Sequence, residues 1–328
     1  MNRRRLMAVL GATATLRPFA PRAQQPVKSA RVGFLGAVPN NPMIADGDKA
    51  FSDEMRKLGW IEGKNLTIVR RYHNQLGIDL ARSVSELIGS NIDVLAVTGP
   101  EVVVRTVASA TKTIPIAMVA ANFDPIEHGL VASLARPGGN VTGIFMRQVE
   151  LAQKQLELLT QALPGKTRAG VLYDALSADQ FAAAQQAAQR MGLQLSPLKL
   201  ENPPYDFKRT FDVLAQAAPQ MLLVLSSPLF TSRQSQIAAL ANEHRWPSMF
   251  IFKSYVEAGG LMSYGVDYVA MQTRIADFVA KILGGAKPAE IPVEQPTKFE
   301  LVINAKTATL LDVTLPPAIF ARADEVIE

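Results

Sequence analysis

At 328 residues, 48% of them apolar and 19% charged, the chain is long enough for two α/β domains and too apolar to be a disordered polymer. Its formal net charge of +5 sits in the first 23 residues, where Arg3, Arg4, Arg5, Arg17 and Arg22 meet no acid. The remainder is close to neutral, which removes the electrostatic case for a nucleic-acid partner.

With no cysteine, disulfides, thiolate nucleophiles, Cys-ligated metals and a lipid anchor on an N-terminal cysteine are excluded. Residues 1–23 read as an export signal: Arg3-Arg4-Arg5 is a charged n-region and Leu6 to Thr15 an apolar run of small residues. Ala20-Pro21-Arg22-Ala23 offers a processing site, and Asn2-Arg3-Arg4-Arg5-Leu6-Met7 resembles a twin-arginine signal, although Arg17 and Pro18 cut the apolar run short. No other stretch is apolar for long enough to cross a bilayer, so no membrane insertion of the mature chain is expected.

From residue 31 short β-rich runs alternate with amphipathic stretches, the pattern of a parallel sheet with crossover helices. Strands are expected at Arg31–Gly36, Leu66–Arg70, Asp93–Val97 and Ile114–Val119, with helices at Met43–Leu58, Ile78–Ile88 and Glu101–Ala110 between them. A helix over Val149–Leu163 then opens a second series. Its strands are Arg168–Tyr173, Gln194–Leu200, Met221–Leu225 and Ser248–Phe252, and its helices Gln180–Met191, Phe207–Ala217 and Ser232–His244.

A third section holds a strand at Gly260–Tyr264, a helix at Tyr268–Leu283, a proline-rich extended stretch at Pro288–Pro296, a strand at Phe299–Ile303 and a short helix at Thr307–Leu311. It completes neither half by itself and implies a chain that crosses between two lobes, near Thr142–Met146, Ser263–Val266 and Val293–Pro296. The predicted organisation is therefore α/β, with two Rossmann-like lobes of parallel sheet joined by a three-crossover hinge. The first lobe comprises 31–142 plus 266–292, the second 146–263 plus 297–328.

Catalytic signatures are missing. The three histidines, His73, His128 and His244, have no metal-ligand spacing. There is no Gly-x-Ser-x-Gly elbow and no phosphate-binding Gly-x-x-x-x-Gly-Lys loop, and Gly33-Phe34-Leu35-Gly36-Ala37-Val38 lacks the dinucleotide pattern. No catalytic residue, metal or cofactor is assigned.

In an open α/β sheet, ligands bind beyond the carboxyl ends of the strands. Those ends carry Val38 and Pro39, Thr98 and Gly99, and Asn122 and Asp124 in the first half. Tyr173 and Asp174, Ser226 and Ser227, and Phe252 occupy them in the second, and Tyr264 stands at a proposed crossover. Thr98-Gly99 leads into a helix N-terminus suited to a carboxylate, Asp124 or Asp174 to an ammonium, and the aromatics to a ring. Each has a plainer reading, because Ser, Thr, Asn and Asp at such places are ordinary helix caps and Tyr173 can simply pack.

Longer strings carry a resemblance. Leu58-Gly59-Trp60-Ile61-Glu62-Gly63-Lys64-Asn65, Asp124-Pro125 with the run from Gly129 to Gly143, Glu257 to Gly265, and Pro292 to Asn304 are similar to the substrate-binding proteins of ABC transporters with the type I periplasmic-binding-protein fold. The resemblance spans essentially the whole chain. It implies two lobes closing on a small-molecule ligand, an ABC permease as partner, a periplasmic monomer, and, in some relatives, tryptophan or phenylalanine as ligand. The rivals are a binding protein feeding a sensor kinase, the ligand-sensing lobes of a transcriptional regulator, and an enzyme on a doubly wound fold.

Overall fold

The computed structural model describes residues 29–38, 42–73, 78–121, 123–146 and 148–328. The expected export segment lies outside these residues, as do Pro39 and Asn122 of the expected cleft.

The first sheet contains β1 (Ala30–Ala37), β2 (Leu66–His73), β3 (Val94–Gly99), β4 (Ile116–Ala121) and β5 (Val141–Met146), in the order β2-β1-β3-β4-β5 and parallel throughout. Three helices connect its first four strands: α1 (Pro42–Lys57), α2 (Ile78–Gly89) and α3 (Glu101–Ala110). Parallel strands need such crossovers, and the helices bury both faces of the sheet. Val32 and Phe34 accordingly pack on one face with Phe51 and Met55 of α1, while Leu35, Leu95 and Val97 pack on the other with Leu87 and Val104.

The second sheet contains β6 (Arg168–Asp174), β7 (Gln194–Leu200), β8 (Met221–Val224), β9 (Ser248–Phe250), β10 (Met262–Gly265), β11 (Glu300–Asn304) and β12 (Glu325–Ile327). Their order is β12-β11-β10-β9-β8-β6-β7, and only the β10–β11 pair is antiparallel. Its helices are α4 (Gln148–Ala162), α5 (Ala178–Met191), α6 (Phe207–Ala215), α7 (Pro228–Thr231), α8 (Gln234–Glu243) and α9 (Lys253–Glu257). After α10 (Tyr268–Leu283), two short helices follow β11, α11 (Ala305–Leu310) and α12 (Pro317–Phe320). The α/β class with two parallel-dominated sheets is the one the alternating pattern predicts.

The chain passes between the two layers three times. It leaves β5 for α4, which packs on the second sheet; it leaves β10 for α10, which packs on α1 and the first sheet; and it returns to β11. Gly47 lets α1 and α10 approach closely, since a Cβ there would stand 2.5 Å from the Tyr268 ring. On its last passage the chain is fastened to the first sheet. Glu294 N–H donates to the Gly143 carbonyl at 2.8 Å, Phe145 N–H donates to the Glu294 carbonyl at 2.8 Å, and Arg274 of α10 grips the Glu294 carboxylate through two nitrogens at 2.8 and 2.6 Å.

Several expected boundaries move. β2 runs on to His73 rather than stopping at Arg70, because Arg70 and Arg71 find Glu62 and Glu86 as ion partners and do not break the edge strand. The helix expected over Ser232–His244 is α8, two residues shorter at its start, and the short α7 ahead of it lies outside the expected pattern. Ser227 caps a short α7 with Pro228 at its first turn, and Arg233 stands between α7 and α8. The strand expected at Ser248–Phe252 stops at Phe250, since Lys253–Glu257 turns helical. Val141–Met146 is a complete strand, buried at every position, rather than a linker, and the sequence reading found neither α12 nor β12.

Candidate ligand-binding cleft

A cavity of about 640 Å³ lies between the two layers at the carboxyl ends of their strands. From the first half it is walled by Ala37 and Val38 after β1, His73 at the end of β2, and Thr98, Gly99 and Pro100 at the turn into α3, with Met43 and Ile44 of α1 beside them. From the second half come Tyr205 and Phe207, Ser226 after β8, Leu229 and Arg233 around α7, and Phe252 after β9; Tyr268 of α10 and Gln148 of α4 complete it. The halves touch at its border, where Ser254 donates to the Met43 sulfur at 3.4 Å and Phe252 meets Tyr268 edge-on at 6.2 Å.

The polar wall residues are held from behind by buried groups. In the first half, His73 Nε2 lies 3.1 Å from the Thr98 carbonyl, and Gln272 of α10 donates to the Thr98 hydroxyl at 3.0 Å. A carbonyl only accepts, so Nε2 carries the proton and Nδ1 is the bare nitrogen, which has no hydrogen-bond partner. His73 is only 2% exposed, and burial holds its pKa below the ordinary imidazole value. It is a neutral wall residue.

In the second half, the Gln180 side chain straddles the backbone of Ser226, accepting from its N–H at 3.0 Å and donating to its carbonyl at 3.2 Å. Below that, Asp174 is fully buried. Its carboxylate accepts from the Ser227 hydroxyl at 2.5 Å, the Tyr205 phenol at 3.3 Å, the Leu176 N–H at 2.9 Å and the Ser177 hydroxyl at 3.2 Å. Burial first, and the Asp174 charge second, push the Tyr205 phenol up to about 12, so it stands in the wall as a proton donor to Asp174. Tyr205, Phe207 and Phe230 pack edge to face with centroids 5.9–6.0 Å apart, fixing the ring that faces the cavity.

Of the twelve residues singled out in the sequence, Val38, Thr98, Gly99, Ser226 and Phe252 come together in this lining. Asp174 and Ser227 lie beneath it as supports. Asp124 caps its own turn by accepting from Ile126 N–H at 2.7 Å. Tyr173 stacks on Phe181 at 4.3 Å, and Tyr264 packs on Phe299 beside a smaller cavity with Met146 and Pro296. His73, Tyr205, Arg233, Gln148 and Tyr268 are lining residues that the strand-end rule missed. His73 was reachable, because it ends an edge strand whose two arginines suggested an earlier stop. Tyr205 and Arg233 sit in loops between elements, where no periodicity reports them.

Among the described residues no group of three or more His, Asp or Glu side chains is placed to hold a metal ion, and no helix is long and apolar enough to cross a membrane.

Known proteins share this arrangement. A conserved domain protein from Vibrio cholerae superposes with a TM-score of 0.83 at 27% identity, covering 91% of this chain and all of that one. An ABC domain from Streptococcus pneumonia in complex with L-Trp superposes with a TM-score of 0.77 at 25% identity, over 90% of this chain and 100% of that one. A tyrosine-binding protein of Clostridioides difficile is 25% identical over 291 residues, 87% of this chain and 81% of that protein. The fold is that of type I periplasmic binding proteins. Residues 40–327 match the family described as ABC transporter substrate binding protein, and the chain belongs to that family.

Proposed function

We propose that this protein is the extracytoplasmic solute-binding component of an ABC importer, taking up an amino acid or an aromatic acid between its two lobes and presenting the closed form to a permease. The observation that carries this reading is the cleft itself: one cavity of about 640 Å³, walled from both sheets, apolar over most of its surface and furnished with a few polar groups. The lobes are 31–142 with 266–292 and 146–263 with 297–328, and the three passages between them form the hinge. Ligand contacts from both walls favour the closed arrangement over the open one, so binding shifts the population towards closure. Val38, Thr98, Gly99, Ser226 and Phe252, with Tyr205, Arg233 and Tyr268, are the ligand contacts. Relatives that bind tryptophan and tyrosine support the ligand class, and the basic leader supports export to the periplasm.

The test is small-angle scattering with a thermal melt across a panel of amino acids and aromatic acids. A ligand is expected to compact the protein and raise its melting temperature together. A panel in which no compound does either refutes the ligand class. A compound that stabilises without compaction refutes hinge closure.

A further inference from the structure

The charge inventory of the cleft is lopsided. Arg233 is the one formally charged side chain among the described lining residues, and among the described residues its side chain has no ion partner or hydrogen bond. No Asp or Glu is among the described lining residues. The internal stretches outside the description, 39–41, 74–77, 122 and 147, hold no acid in the sequence and one cation, Arg147.

The acids around the cleft are not among its described lining residues. Asp174 is fully buried with its oxygens occupied, and Asp124 caps a turn. Asp48 lies beside Tyr72 and near Tyr268 with neither carboxylate oxygen hydrogen-bonded, and burial holds its carboxyl above the usual carboxylate range, towards the neutral acid. Asp46 and Glu257 line a second cavity that shares Met43, Phe252 and Tyr268 with the cleft.

Two helix N-termini reach the cleft. Gly99-Pro100 leads into α3 and Arg233 into α8, two helices of ten residues whose N-termini carry no side-chain cap. The free N–H groups of α8, which has no acid in its first turn, favour negative charge, whereas α3 carries Glu101 in its own first turn, paired with Arg105. The buried His73 adds a neutral acceptor with no partner at Nδ1, so the walls offer a hydrogen-bond acceptor without a negative charge. Closing such a cleft around an ammonium group would strip its water and supply no counter-charge, which is costly. Closing it around a carboxylate would pair Arg233.

We infer that the ligand is an organic carboxylate with a large apolar body and no α-ammonium, an aryl-alkanoate rather than a zwitterionic amino acid, with Arg233 as its charge partner. This rests on the cleft being the ligand site, and it separates the two ligand classes admitted above.

Matched pairs that differ by the ammonium alone decide it: 3-phenylpropanoate against L-phenylalanine and indole-3-propanoate against L-tryptophan, by titration calorimetry on the full-length exported protein. The alkanoate is expected to bind at least about ten-fold more tightly in each pair. Arg233→Met is expected to weaken it about ten-fold with the melting temperature of the free protein unchanged, since Arg233 is exposed and has no partner to lose. Amino acids that bind as tightly as the alkanoates overturn the inference and leave the cleft reading standing. Alkanoate binding indifferent to Arg233→Met overturns the assignment of Arg233. Neither member of a pair binding, while an unrelated neutral solute compacts the protein, also overturns the inference alone. Absence of closure with every solute removes both readings.

Discussion

Asp174→Asn removes a formal charge from a fully buried site and leaves its shape intact. In the wild type one carboxylate oxygen accepts from the Ser227 hydroxyl and the Tyr205 phenol, while the other accepts from Leu176 N–H and the Ser177 hydroxyl. Hydrogen bonds to a buried ionised acceptor are worth roughly 1.5–3 kcal/mol each, about twice a neutral pair. An amide keeps one acceptor oxygen and turns an N–H toward two hydroxyls that were donating. Those hydroxyls can rotate, although the Ser227 oxygen already accepts from Leu229 N–H. Loss of the charge and partial loss of two bonds amount to about 2–4 kcal/mol, which urea denaturation of wild type and variant measures. The Tyr205 phenol supplies an independent readout. It falls below about 12 when the Asp174 charge is removed, yet stays above the free tyrosine value because burial is the larger cause. A cycle with Tyr205→Phe isolates the coupling between the two side chains. A loss under about 0.5 kcal/mol, with Tyr205 unmoved in a tyrosinate titration, would refute the view that Asp174 braces the wall.

Two further outcomes are expected. Gly143→Ala is expected to cost about 3 kcal/mol or more by chemical denaturation, because φ is +137° there and a Cβ would overlap the Met118 carbonyl of the neighbouring strand; a loss under about 1 kcal/mol would show that the β4–β5 pairing can yield. For His73 the sign follows from its depressed pKa. The unfolded chain takes up the proton at the ordinary imidazole value near 6.5, and the buried folded form does so only at lower pH. Stability is therefore expected to be full above about pH 7 and to fall as pH drops from about 6.5 towards the folded value, with a slope of at most about 1.4 kcal/mol per unit. His73→Gln, which still offers an N–H to Thr98, flattens that slope; equal slopes in the two proteins would place the lost proton elsewhere.

The sequence exposed the fold more fully than the site, for reasons that differ by residue. Central strands such as Met221–Val224 and Val94–Gly99 are apolar through their length because helices cover both faces, so a short hydrophobic run between turn residues marks each of them. The same logic misjudged β2, where paired arginines on an edge strand look like a loop until Glu62 and Glu86 are placed beside them. At the cleft, the strand-end rule locates Thr98, Ser226 and Phe252, since it concerns backbone topology. It cannot tell a residue facing the cavity from one facing beneath it. Asp174 and Ser226 both stand at strand ends; one is sealed under the wall and the other is part of it. Arg233 stands just ahead of the first residue of α8, where the helical pattern over 232–244 counts it within the helix.

The bracing bears on how closure would proceed. Thr98 is tied to His73 and Gln272, Ser226 to Gln180, and Tyr205 to Asp174, so these three wall residues are already held in place, unlike Arg233. Side chains ordered beforehand lose little entropy on meeting a ligand, which leaves more of the contact energy to drive closure. The last passage between layers is not free to bend at every point either. The backbone of Glu294 pairs with β5 and its carboxylate is clamped by Arg274, an arrangement that binds Val293–Glu294 to the first layer. In a hinge closure, rotation on that passage is then confined to the stretch from Gln295 to Phe299, ahead of β11. Gln295, Pro296 and Phe299 of that stretch line the small cavity beside Tyr264.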